Sequence, residues 1–178
     1  MPDRRGYHSP RREEAARATR ARILAAAGEI LLEGGYDQMT VTRLAKAADV
    51  SPQTVYNSIG GKAEVVKAVY DVKLAGDDNP VPMSERPEFL AMRNSVDAAA
   101  FMRAYAVWTR IIYERVGPLL GVLLQGGAGG DEALRGFVET IDRERRTGNG
   151  NGLNMLESAH GIPAVPGRER LHDMMWTL

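Results

Sequence analysis

The sequence predicts an all-α protein in two parts, a three-helix N-terminal domain containing a helix-turn-helix and a C-terminal helical bundle. Three observations support this. Two short helical patterns meet at a tight turn between Thr40 and Lys62. The second half shows apolar residues at helical spacing and no strand signals. Between the two lies Gly76-Asp-Asp-Asn-Pro-Val-Pro82, a stretch that breaks any helix and suits a domain boundary.

In chain order, residues 1 to 12 place Arg4, Arg5, Arg11 and Arg12 among Pro, Gly, Ser and His. That composition suits a disordered basic arm, which either reaches a DNA minor groove or is a solvated tail. From Glu13 to Glu33 a helix is expected, with Ile23, Ala26, Ala27, Ile30 and Leu31 on one face. Gly28 inside it costs about 1 kcal/mol relative to Ala, and close packing against a neighbouring helix would account for it. Gly34-Gly35 closes the helix.

Thr40 suits an N-cap, because its hydroxyl can accept an orphan backbone N–H. The helix after it carries Val41, Leu44, Ala45 and Ala48 on one stripe. Asp49-Val50-Ser51 is the turn. Ser51 caps the next helix, and Pro52 takes the first helical position, where the missing N–H is harmless. This helix, Pro52 to about Ser58, turns Val55 and Ile59 inward and exposes Gln53, Thr54, Tyr56 and Asn57; Gly60-Gly61 ends it. Such a helix-turn-helix can place its second helix in a DNA major groove, although an ordinary helical hairpin has the same helix pattern. Gln and Asn can pair bidentately with adenine, so Gln53, Thr54 and Asn57 are candidate base contacts. A further helix from Lys62 to about Leu74 carries Val65, Val66, Val69 and Tyr70.

In the second part, Ser84 is placed to cap a short helix ending near Arg93, and Asp97 opens a long one. Phe101, Met102, Tyr105, Trp108, Ile112, Tyr113 and Val116 recur along it until Gly117-Pro118, an expected break. Leu119 to Leu124 reads as a short apolar helix, and Gly126 to Gly130 as a flexible loop. Asp131 begins another helix, with Leu134, Phe137, Val138 and Ile141 on one face; Gly148-Asn-Gly-Asn-Gly152 should weaken or break it. After a loop at 161–167, a last helix starts at Arg168.

Composition narrows the function. Net charge is zero, but the chain through Lys62 has ten Lys/Arg against seven Asp/Glu, a modest basic bias suited to phosphate. There is no cysteine, so no disulfide or thiolate chemistry. No apolar run is long enough to span a membrane, and the charged N-terminus has no apolar signal core; a cytoplasmic protein is expected. His8, His160 and His172 are scattered without metal-ligand spacing and are expected at the surface. No nucleophile elbow, phosphate loop or dinucleotide fingerprint is present, so no enzyme, metal or cofactor is expected.

The stretch from about Arg20 to Tyr70 resembles the DNA-binding domain of the TetR family of transcriptional regulators. The resemblance lies in Gly35-Tyr36, Thr40, Leu44-Ala45, Ala48-Asp49-Val50-Ser51, Tyr56 and Lys62. Ile59 stands where the family has Phe, and Asp49 where it has Gly; Asp tolerates left-handed backbone better than most residues. The resemblance implies that Tyr56 and Lys62 hold phosphate, that Thr40 and Thr42 lie near the DNA backbone, and that the helix from Lys62 connects two domains, 13–75 and 83–178. It also implies a ligand-binding second domain, in which the helix from Asp131 continues, strained or irregular, to about Ala159. On spacing, Phe101, Met102, Tyr105, Trp108, Ile112 and Leu123 are either an apolar ligand cavity or a packed core. The chain then reads as a repressor, released from a palindromic double-stranded DNA operator by a small apolar or amphipathic effector. It would act as a homodimer, since one helix-turn-helix reads too few base pairs. The last two long helices would supply the dimer contact, with Leu171, Met174, Met175 and Trp176 as its apolar surface. The alternative is a helical dimerisation or scaffold protein without DNA binding.

Overall fold

The computed structural model describes residues 10–162 and 164–177, and every helix or strand element among them is helical. In order these are α1 (Pro10–Gln38), α2 (Val41–Ala47), α3 (Pro52–Ser58), α4 (Lys62–Ala75), α5 (Pro87–Arg93), α6 (Ala98–Ala128), α7 (Glu132–His160) and α8 (Arg168–Thr177), with a 3-10 turn at Met83–Glu85 before α5. The chain divides into two compact units, Met1–Val72 and Lys73–Leu178. The division falls inside α4, ahead of the expected linker at Gly76.

In the first unit, α1 begins at Pro10, so Arg11 and Arg12 of the expected arm are helical; the rest of that arm lies outside the described residues. Ile23, Ala27, Ile30 and Leu31 are buried. At Gly35 the backbone takes φ 77 and ψ 178, a region costly for a residue with a Cβ. The helix proper therefore stops at the glycine pair, and the short turn after it swings Tyr36 inward. Gly28 lies against Val69 of α4, but a Cβ added there would meet that side chain at 3.8 Å, an ordinary contact. α1, α2 and α3 pack on one another around Leu44, Ala45, Val55 and Met39.

The second unit departs from expectation in three places. Ser84 lies in the 3-10 turn rather than capping a helix, and α5 starts at Pro87 with no capping side chain. Arg86, itself buried, instead clamps Asp77 through two hydrogen bonds at 2.9 and 3.1 Å. That clamp pulls the Asp77 carboxyl down to about 2.

The second departure is that α6 is unbroken at Gly117-Pro118 and absorbs most of the expected glycine loop, with Gly129 as its C-cap. The break fails because the apolar stripe continues past it. Val116, Leu119 and Leu123 are buried, while Pro118 faces solvent. Each buried Leu contributes about 1.5–3 kcal/mol, together more than the ~3 kcal/mol that an interior Pro costs.

The third concerns α7, which runs from Glu132 to His160 as the resemblance implied, but without the irregularity expected at the Gly-Asn-Gly-Asn-Gly run. Asn149 there is buried and accepts the Tyr105 hydroxyl at 2.9 Å, while its amide donates to the Met175 carbonyl at 3.2 Å. One side chain thus links α6, α7 and α8. At Gly152 a Cβ would stand 3.2 Å from Met175 Cε and 3.4 Å from Tyr105 Cε2. The glycine is a seat for these two side chains rather than a helix stop.

The core of this unit joins Met92, Phe101, Tyr105, Leu153, Leu156, Leu171 and Met175. Leu171 and Met175 therefore belong to their own bundle and not to an exposed dimer surface, because they lie on the face of α8 that packs into this core. Met174 is 47% exposed. Trp176 is half-buried, with the guanidinium groups of Arg145 and Arg146 over its ring at 4.0 and 4.3 Å.

Candidate nucleic-acid interface

Three local devices hold α2 and α3 at a fixed angle. Thr40 Oγ1 accepts the Arg43 N–H at 3.1 Å, fastening the start of α2. At the turn, Asp49 adopts φ 52, the left-handed backbone that the family's glycine would otherwise supply, and Val50 N–H bonds back to the Ala45 carbonyl at 3.0 Å. Ser51 Oγ then accepts the Thr54 N–H at 3.1 Å, capping α3. Each cap is worth about 1 kcal/mol. Together they matter more than propensity for helices of seven residues, which are too short to persist alone.

α3 buries Val55 completely and leaves Ile59 half-buried at its C-cap. Gln53, Tyr56 and Asn57 are exposed. The amides of Gln53 and Asn57 are joined, Gln53 Nε2 donating to Asn57 Oδ1 at 2.9 Å. The Gln53 carbonyl and the Asn57 amino group are left to face a partner. Thr54 differs from the other two expected base contacts: it is half-buried and shares a 2.8 Å hydrogen bond with the Ser51 hydroxyl. Thr40 is exposed, but its oxygen is engaged in the α2 cap, and Thr42 is exposed on α2.

Tyr56 is 53% exposed, and its ring lies beside Gly61, where a Cβ would meet it at 3.7 Å. The next residue is Lys62. The two residues expected to hold phosphate therefore lie close together where α3 gives way to α4. The sequence reading did not single out Arg43 and Lys46, both exposed on α2, with Arg43 Nη1 donating to Gln38 Oε1 at 3.1 Å. Nor did it foresee that the Lys62 ammonium lies 3.6 Å from the centroid of the Tyr36 ring.

Residues 23–69 match the sequence pattern of the bacterial regulatory proteins of the tetR family. The match covers the helix-turn-helix and its flanks, about a quarter of the chain. A stretch of 64 residues is also 41% identical to an uncharacterised helix-turn-helix-type transcriptional regulator, YdeS, of Bacillus subtilis strain 168. That match takes in 36% of this chain and 32% of YdeS, so the chain spans about a third of the relative it matches. The tetR pattern covers α2, α3 and parts of α1 and α4, and does not reach the second unit.

In the second unit, the six residues expected at a ligand cavity separate. Phe101, Tyr105 and Leu123 are buried, whereas Met102, Trp108 and Ile112 are half-buried. Trp108 stacks edge-on against Phe89 at 5.4 Å and Tyr105 at 6.5 Å. Burial pushes the Tyr105 hydroxyl up to about 12, so it stays a donor to Asn149. Two cavities of this unit lie elsewhere. One of about 470 Å³ is lined by Ala106, Thr109, Arg110, Tyr113 and Glu114, and one of about 590 Å³ by Pro166, Glu169, Arg170, Asp173 and Met174. His160 and His172 are half-buried rather than at the surface, and His8 lies outside the described residues. Among the described residues no cluster of His, Cys, Asp or Glu could hold a metal, and no helix is long and apolar enough to cross a membrane.

Proposed function

We propose that this chain is a sequence-specific DNA-binding transcriptional regulator whose α3 enters the major groove. One observation supports the reading most: a short helix, locked by a cap and a left-handed turn residue, presents Gln53, Tyr56 and Asn57 outward beside Lys62. Rigid placement of a polar face suits base reading, and a flanking cation suits phosphate. Gln53 and Asn57 contact base edges, while Tyr56, Lys62, Thr40 and Thr42 meet the DNA backbone. The test is binding of mixed-sequence duplexes over a salt series, followed by selection of preferred sites. Lys62→Ala should weaken all sequences alike and lower the salt slope by about one. Asn57→Ala should relax preference at one base pair. Absence of duplex binding by the wild-type chain would favour the scaffold reading.

The finer reading is a repressor that acts as a two-fold dimer through α7 and α8, with half-sites one helical turn, ~34–36 Å, or a multiple apart. A monomer in sedimentation at micromolar concentration would sink it. A small apolar or amphipathic effector would enter beside the half-buried Met102, Trp108 and Ile112 and displace packing around Phe101, Tyr105 and Leu123. It would act by binding the DNA-incompetent arrangement more tightly. A folded Trp108→Ala protein that still responded normally to the effector would place that site elsewhere.

A further inference from the structure

We infer that Tyr36 is a positioning residue for DNA binding: its ring holds the Lys62 ammonium in place for a duplex phosphate. The inference rests on the DNA-binding reading above and assigns a role to a residue that reading leaves out.

Lys62 is the first residue of α4. A cation is disfavoured there, because the N-terminal end of a helix carries partial positive charge. A long lysine chain also loses rotamer freedom when it is held. Something must offset both, and the Tyr36 ring face does. The ammonium lies 3.6 Å from the ring centroid, well inside the range of a cation–π contact. The ring itself is fixed. Gly35, at φ 77, turns the chain so that Tyr36 points inward, its carbonyl accepts the Met39 N–H at 3.1 Å, and the residue is only 7% exposed. Lys62 is half-buried, so one side of the ammonium meets the ring while the other N–H donors remain for an anion. Tyr56 flanks the same point from α3, beside Gly61. A lysine held this way before DNA arrives loses less freedom on binding.

The experiment follows binding of the full chain to a labelled mixed-sequence duplex by fluorescence anisotropy over a salt series. Phosphate contacts are sequence-independent, so no operator is needed. Tyr36→Leu should move the salt slope toward that of Lys62→Ala and weaken binding about 3- to 10-fold at low salt, the range for a partly shielded cation–π contact. In a Lys62→Ala background the same change should do nothing further. Tyr36→Phe, which keeps the ring, should restore the slope. A wild-type slope in Tyr36→Leu, or an equal loss in both backgrounds, overturns the inference while leaving the DNA-binding reading intact. If wild-type protein binds no duplex, both fall. Should Tyr36→Leu lose its cooperative melting transition, NMR of the wild type decides. Lys62 ε-methylene protons shifted upfield by the ring support the inference, and unshifted ones overturn it.

Discussion

α2 and α3 are seven residues each, and each opens on a hydroxyl that accepts a backbone N–H three residues on. α6 and α7 run to 31 and 29 residues across a proline and a run of glycines that ordinarily end helices. Asp97 and Asp131 cap their starts in the same way, but a cap cannot carry a helix past an interior Pro118 or past Gly148 to Gly152. In the first unit, short-range chemistry sets where each helix begins and stops. In the second, groups far apart in sequence decide it, as the Tyr105 and Asn149 side chains and the Met175 carbonyl do by bonding across three helices. Local rules suit a unit that must hold one face at one angle. Tertiary rules suit a unit whose helices can pass through poor helix formers so long as a neighbour fills the space.

The sharpest way to break this contrast is Tyr105→Ala. It removes a fully buried ring and leaves the Asn149 carbonyl without its donor. The expected loss is about 3–5 kcal/mol, read as a lower unfolding midpoint in denaturant. A loss below about 1 kcal/mol would mean that α7 does not need this tie to cross its glycines. Next comes Pro118→Ala. Pro118 faces solvent, so the alanine should restore one backbone hydrogen bond and raise stability by about 1–3 kcal/mol. Destabilisation would show instead that the proline shapes α6 for its packing. The smallest effect belongs to Ser51→Ala, which deletes one cap and should cost about 1 kcal/mol. Because that cap aims α3, DNA affinity should fall by more than the stability loss alone explains. Equal proportional losses would make Ser51 a structural residue only.

The N-terminal elements were legible because their signals are short-range. Thr40, Ser51 and Pro52 mark helix starts by what their own atoms can or cannot bond, and Gly34-Gly35 and Gly60-Gly61 mark stops within a residue or two. Asp49 tolerates positive φ and was found at φ 52. Of the outward set read from the period of α3, Gln53, Tyr56 and Asn57 are exposed, while Thr54 is half-buried and tied to the Ser51 hydroxyl.

Other features had no local signal. Nothing in Tyr36 or Lys62 taken singly announces that one stacks on the other, since the contact joins the ends of α1 and α4. The inward turn of Asn149 and the seat at Gly152 depend on Tyr105 and Met175, residues from other helices. Leu171 and Met175 could as well have served a partner chain; the bundle claimed them. The caps of α2 and α3 and the turn between them could be read from the chain, because they follow from atoms a few bonds apart. Tertiary structure decided whether Pro118 and the 148–152 glycines ended a helix, because burial contributed by distant neighbours outweighed a local cost of a few kcal/mol.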